Sequence, residues 1–150
     1  MGSKSDYATM QNCEKILKLL KINFETKIVS AHRTPDRMFT YAKSAEDNNI
    51  SVIVAGAGGS AHLPGMIAAL TTIPVIGVPV ESRKLKGLDS LLSIAQMPKG
   101  IPVGTVAIGE DGAMNAGLYA ASIIALSNKE VKKNLKNYRS KQSKAVKQKP

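Results

Sequence analysis

The 150-residue chain predicts a parallel α/β sheet with helices on both faces. Three observations lead there. Short apolar runs at residues 51–55 and 74–79, bounded by turn residues, have the continuous hydrophobicity of strands buried on both sides. Stretches with apolar residues at helical spacing alternate with such runs along the chain. No internal repeat interrupts that alternation.

Each element has its own reason. Met10, Cys13, Ile16, Leu17 and Leu20 recur at helical spacing, so residues 6–21 read as an amphipathic helix. Cys13 lies on that apolar stripe and reads as core rather than nucleophile. Residues 24–29 read as a strand. Thr34 can cap a helix and Pro35 suits its first position, so a helix runs from there to about Asn48. The buried strand at 51–55 is followed by the small-residue loop Gly56-Ala57-Gly58-Gly59-Ser60 and a helix over roughly 63–70. A second buried strand at 74–79 precedes a helix at 88–96. A strand at 103–108 leads to an alanine-rich helix at 115–125, apolar on most sides and therefore buried. Ser127 and Glu130 have the spacing of a capping box. Val131, Leu135 and Tyr138 then mark one face of a last helix, which needs its own domain or a neighbouring subunit to pack on. The first helix begins almost at Met1 with no strand ahead of it, although that strand is usually interior in a doubly wound sheet. The first strand therefore reads as missing, with a few residues expected upstream.

Composition narrows the function. No apolar run reaches the length of a membrane span, and the first six residues have no apolar signal region. The one cysteine excludes an internal disulfide framework and suits a reducing compartment, the cytoplasm. The net charge of +10 looks like a nucleic-acid signal until it is located. Residues 129–150 hold nine Lys/Arg and one acid, while the preceding 128 residues are close to balance at +2. The chain thus divides into an α/β domain, 1–128, where a catalytic site is to be sought, and a basic amphipathic helix and tail, 129–150. The tail reads as a solvated helix face, and two Phe with no Trp supply little to stack on bases.

In sheets of this kind ligands bind beyond the carboxyl ends of the strands. That rule directs attention to residues 3–6, 30–34, 56–64 and 80–87. Met1-Gly2-Ser3-Lys4-Ser5-Asp6 stands at a helix start, where free backbone N–H groups favour an anion such as phosphate. Ser3 and Ser5 add hydroxyls, and Asp6 could accept from ribose hydroxyls; equally, Ser5 or Asp6 could simply cap the helix. In Ser30-Ala31-His32-Arg33-Thr34-Pro35, an imidazole of ordinary pKa about 6.5 can give and take a proton near neutrality. Arg33 offers a planar fork suited to phosphate and Ser30 a further donor; a surface His–Arg pair is the competing reading. Gly56 to Ser60 has so little side-chain bulk that backbone could approach a planar ligand, but neither the dinucleotide nor the P-loop spacing is present. His62 reads as structural or gating, since Ala61-His62-Leu63 runs into a Pro-Gly that suits a closing loop. Asp89, Ser90 and Ser93 read as structural. Two His, one Cys and no clustered carboxylates argue for no metal.

Taken in order, Met1-Gly-Ser-Lys-Ser-Asp6, Ser30-Ala-His-Arg-Thr-Pro35, Ala55-Gly-Ala-Gly-Gly-Ser-Ala-His-Leu-Pro-Gly-Met66, Pro74-Val-Ile-Gly-Val-Pro-Val80, Asp89-Ser-Leu-Leu-Ser-Ile94, Gln96-Met-Pro98 and Gly112-Ala-Met-Asn-Ala116 resemble the class I N5-carboxyaminoimidazole ribonucleotide mutases. These belong with the catalytic subunits of the phosphoribosylaminoimidazole carboxylase family. Each motif is weak alone; the series, spanning residues 1 to about 126, is specific. The resemblance implies a flavodoxin-like three-layer domain assembled as a homo-octamer. It also implies a cytoplasmic isomerase of purine biosynthesis with no cofactor and a ribonucleotide substrate. By the same resemblance Ser3, Ser5, Asp6, Ser30 and Arg33 hold the ribose phosphate, with Asp6 on the ribose. Backbone at Gly56 and Ala57 faces the imidazole, and His32 is the general acid/base. The short strand such proteins carry before Met-Gly-Ser is absent here. Two other readings compete: a sister enzyme that carboxylates with free carbon dioxide, and a non-catalytic polyanion-binding module using the tail.

Overall fold

The computed structural model describes residues 1–147. A 3-10 turn at Lys4–Asp6 runs into α1 (Tyr7–Leu19), followed by α2 (Pro35–Ser44), β1 (Ile53–Gly58), α3 (Leu63–Ala68), β2 (Val75–Val80), α4 (Leu88–Ala95), β3 (Gly104–Thr105), α5 (Gly109–Ile124) and α6 (Lys129–Ala145). Among the described residues the strands form one parallel sheet in the order β1-β2-β3. Alternation along the strands divides the core into two faces. Ile53, Ala55, Ala57 and Val75 pack with Met38 and Ala42 of α2, Leu63 and Ile67 of α3 and Ile94 of α4. Ile76 and Val78 pack on the other side with Met10, Cys13 and Leu17 of α1 and with Ala113, Ala116 and Ala120 of α5. The result is the three-layer α/β/α architecture expected.

Register explains where element boundaries moved. β1 is Ile53–Gly58 rather than 51–55, because β2 pairs with it from Ile53↔Val75 to Gly58↔Val80. The first three of the five small residues, Gly56 to Gly58, are therefore strand, not loop. β3 shrinks from the expected 103–108 to two residues. It is an edge strand preceded by Pro102, which has no N–H to offer a ladder.

Residues 24–29 form no strand. A strand needs a neighbour, and the near edge of β1 lies across a cleft of about 1000 Å³ lined by Phe24, Ile28, Tyr41, Val52 and Val54. Among the described residues, Met1 and Gly2 bridge the gap. The Met1 amino group donates to the Lys27 carbonyl at 3.0 Å. The Val29 N–H donates to the Met1 carbonyl at 3.0 Å and the Gly2 N–H to the Gly56 carbonyl at 3.2 Å. Those two residues thus lie where a strand ahead of the first helix would run.

Two caps differ from expectation. Thr34 precedes Pro35 at the start of α2, but its hydroxyl makes no cap. It turns back instead, accepting from the Ser30 N–H at 2.9 Å and donating to the Ser30 carbonyl at 3.3 Å. At α6 the cap is Asn128, not Ser127: its Oδ1 accepts from the N–H groups of Glu130 and Val131, each at 3.0 Å. The helix starts one residue later than a Ser127 cap requires.

Cys13 is core. Burial, with a smaller contribution from the Glu14 charge, pushes its thiol up to about 12, so it stays protonated and unreactive at neutral pH. The face of α6 carrying Val131 and Leu135 packs on Ile16 and Leu20 of the α1 end and on Ala121 and Ala125 of the α5 end. Asn134 Nδ2 donates to the Leu20 carbonyl at 3.0 Å, tying α6 to the end of α1. Lys129, Lys132, Lys133 and Lys136 face solvent. The last three residues of the 129–150 tail lie outside the described residues. Among the described residues no helix is long and apolar enough to cross a membrane.

Candidate active site

A cleft of about 520 Å³ opens beyond the carboxyl ends of β1 and β2, where the topology rule directs attention. It is lined by Gly2, Ser3, Ser5 and Asp6 from the chain start and by Ser30, Ala31, His32 and Arg33 from the turn before α2. Ala57, Gly58, Gly59 and Ser60 contribute from the end of β1, and Val80 to Arg83 from the end of β2.

The first wall is a tight turn. Asp6 is buried, and its Oδ2 accepts from the Ser3 N–H at 2.9 Å. The Ser3 and Ser5 hydroxyls share a hydrogen bond of 2.6 Å. Asp6 therefore closes the turn onto Ser3 and does not cap α1, and only one of its oxygens is engaged; the other makes no hydrogen bond among the described residues. The turn presents two hydroxyls and the N-terminal end of a helix to one spot, a suitable seat for an anion.

The second wall is the 30–34 loop, closed by the Thr34 hydroxyl as above. Ser30 Oγ accepts from the Arg33 N–H at 3.2 Å. Arg33 Nη2 donates to the Gly2 carbonyl at 3.2 Å, which sets the guanidinium beside the 3–6 turn. Residues thirty apart in sequence are thus brought to one cavity, with the His32 ring exposed on it. The ring's Nε2 lies 2.9 Å from Nδ1 of His62.

The third wall is backbone. Ala57 lines the cleft, with Gly58 and Gly59 beyond it. Gly56 lies one residue deeper in β1, and a Cβ there would run into the Met10 side chain of α1. Its bareness lets the first helix approach the sheet. Ala61 and Leu63 are buried in the core, and the Met66 N–H donates to the His62 carbonyl at 3.0 Å. Of the three residues expected to gate the site, Leu63 lines the cleft, Ala61 is buried, and the exposed ring of His62 meets that of His32.

Ser90 holds the floor together. Fully buried, its hydroxyl donates to the Val80 carbonyl at 2.7 Å and accepts from the Gly59 N–H at 2.8 Å, bridging the ends of β2 and β1. Ser90→Ala leaves both partners unsatisfied. It is expected to cost about 1–3 kcal/mol in urea unfolding, with no change in the m value. Glu81, Ser82 and Arg83 also face the cleft and were not singled out from sequence, although they fall in the 80–87 stretch the strand-end rule marks. Ser82 Oγ donates to Asp89 Oδ1 at 2.6 Å, which anchors this loop to α4. Among the described residues no three His, Cys, Asp or Glu lie close enough to hold a metal.

The arrangement brings two hydroxyls, a carboxylate, a guanidinium, an imidazole and a bare backbone wall to one cavity. A family profile described as AIR carboxylase matches residues 1–145. The N5-carboxyaminoimidazole ribonucleotide mutase of Escherichia coli (strain K12) is 57% identical over 150 residues, all of this chain and 89% of that protein. The protein of the same name from Aliivibrio fischeri is 58% identical over 150 residues, covering 93% of its length. The crystal structure of Treponema denticola PurE superposes with a TM-score of 0.87 at 29% identity, over 96% of this chain and 89% of that one. The fold is flavodoxin-like, and the chain belongs to the AIR carboxylase family.

Proposed function

We propose that this protein interconverts N5-carboxyaminoimidazole ribonucleotide and 4-carboxy-5-aminoimidazole ribonucleotide, a step of purine biosynthesis, with His32 as general acid and base. One observation carries the reading. In a chain 57% identical to a mutase of that name, His32 and the turn of Ser3, Ser5 and Asp6 open on the same cleft. Its volume of about 520 Å³ suits a mononucleotide, within the range of about 300–1,000 Å³ usual for small-molecule sites.

The chemistry follows from the residues. The ribose phosphate is held by Ser3, Ser5, Ser30 and Arg33, and the free oxygen of Asp6 takes a ribose hydroxyl. His32 protonates the exocyclic nitrogen of the carbamate; the N–C bond breaks and carbon dioxide leaves with the nitrogen now an amine. Ring carbon C4 then attacks the retained carbon dioxide, and its proton returns to His32. The imidazole ends as it began, so no net proton is consumed and no cofactor is required. The backbone at Gly56 and Ala57 forms the wall against the flat imidazole, Ala57 directly and Gly56 as its support. Carbon dioxide escapes an open site, so the pocket must close. That closure is assigned to the 61–63 segment, where Leu63 lines the cleft and the His62 ring touches His32.

Assay of the chain with each ribonucleotide, with and without added bicarbonate, tests the reaction. Turnover of the carbamate without bicarbonate is expected; turnover only of the uncarboxylated ribonucleotide with bicarbonate would assign the sister reaction. Arg33→Ala is expected to remove a charge-assisted hydrogen bond of about 1.5–3 kcal/mol. KM should then rise about 10- to 100-fold with kcat little changed, and an unaltered KM would count against the phosphate role. The catalytic unit is 1–128, since among the described residues α6 contributes none to the cleft, and the lysine-bearing face of Lys129–Ala145 is solvated. A cytoplasmic homo-octamer completes the reading, and sedimentation velocity measures the assembly directly.

A further inference from the structure

The rings of His32 and His62 meet edge to face, with centroids 5.0 Å apart and planes at 86°. His32 Nε2 and His62 Nδ1 are 2.9 Å apart, a hydrogen bond between loops thirty residues apart in sequence. Both rings are exposed, but their backbones are held. Ala31, Ala61 and Leu63 on either side are buried, and the His62 N–H donates to the Ser60 carbonyl at 2.8 Å. Two anchored backbones thus bring two exposed rings into one defined contact.

We infer that His62 is a positioning residue: its neutral Nδ1 accepts a hydrogen bond from His32 Nε2, so that His32 gives and recovers its working proton through Nδ1. This rests on the acid/base role proposed above. To protonate the carbamate nitrogen, His32 must start as an imidazolium, which has two N–H groups and no lone pair. The 2.9 Å contact can then run only from His32 Nε2 to a lone pair on His62 Nδ1. His62 must accordingly be neutral, with its own proton on Nε2. When His32 releases its Nδ1 proton to the substrate, Nε2 keeps its hydrogen and the contact is unchanged. The neutral ring is left with its lone pair on Nδ1, where the C4 proton arrives. Neither ring rotates nor changes tautomer between the two halves of the reaction, so the nitrogen that gives is the nitrogen that receives. A second proton, on His62, would abolish the acceptor and set two cations side by side near Arg33. Asp6, Arg33, Glu81 and Arg83 line the same cleft, and none of them hydrogen-bonds either ring among the described residues.

Two variants test this. His62→Asn keeps a short polar side chain whose Oδ1 can stand in for Nδ1, whereas His62→Leu keeps bulk without an acceptor. The leucine variant is expected to lose about 10- to 100-fold in kcat with KM within about threefold, the size typical of partners that orient a working imidazole. The asparagine variant is expected to recover most of that loss. Nitrogen-15 shifts of the ligand-free protein give a readout independent of turnover. Neutral His32 should carry its proton on Nε2 alone in the parent, and should gain a population protonated on Nδ1 in His62→Leu. Equal kcat in the parent and the leucine variant, or identical His32 tautomers in both, overturns the inference. A parent chain that fails to turn over the carbamate overturns the proposed reaction instead, leaving the tautomer comparison to decide the contact.

Discussion

His32→Asn is expected to lower kcat by about 10²–10⁴-fold while leaving ligand binding within a few-fold of the parent. Asparagine fills much of the imidazole's place and keeps a hydrogen-bonding side chain, so the cleft retains its shape. An amide, however, neither protonates the carbamate nitrogen nor accepts the C4 proton at neutral pH. Both halves of the reaction lose their carrier, and the loss falls on kcat. The anion seat at residues 3–6 and the Arg33 guanidinium are untouched, so titration calorimetry with the product ribonucleotide should show affinity close to the parent's. Parent-like turnover in this variant would remove His32 from the mechanism. Loss of binding together with rate would move it from proton transfer to ligand anchoring.

Gly112→Ala is expected to destabilise the fold by about 3 kcal/mol, toward the upper end of the cost of overpacking a core. Gly112 is buried near the start of α5, and a Cβ there would fall on the backbone carbonyl of Ala107. Backbone cannot rotate aside as a side chain can, so the helix start or the 105–108 connection must shift. Alanine is the better helix former by about 1 kcal/mol, and that gain offsets only part of the cost. For a domain of this size the midpoint should fall by about 6–12 °C. Gly117→Ala is the milder comparison on the same helix: its Cβ would meet Ile16 of α1 at 3.1 Å and the Cys13 carbonyl at 3.2 Å, a crowding of a few tenths of an ångström. A Gly112 variant as stable as the parent would mean that α5 is not held where its glycines and alanines place it.

Particular residues show how far the chain could be read before folding. The apolar runs around Ile53 and Val75 announced buried parallel strands, because a strand covered on both faces has no polar alternation to hide it. The helix around Ala116 and Ala120 was legible as buried from its lack of a polar side. Its start was not: Gly109, Glu110, Asp111 and Gly112 look like a loop, although Glu110 and Asp111 suit a first helical turn. Residues 24–29 had the composition of a strand but lacked a hydrogen-bonding neighbour, which composition cannot reveal. At the site, the strand-end rule and the motif series led to His32, Arg33 and residues 3–6. Nothing local linked Ser90 to Gly59 and Val80, or brought Glu81 and Arg83 to the cavity.

By itself the sequence determined the alternation of elements, the placing of basic charge in the tail, the inert core position of Cys13 and the set of residue types available for acid/base and phosphate chemistry. These follow from side-chain period, composition and intrinsic chemistry, which are local. Only the tertiary structure decided the register of β1 on β2, the approach of Arg33 to the Gly2 carbonyl, the packing of α6 on α1 and α5, and the meeting of His32 with His62. Those contacts join segments far apart along the chain, and their geometry is set by how the sheet pairs and how closely small residues let helices approach it.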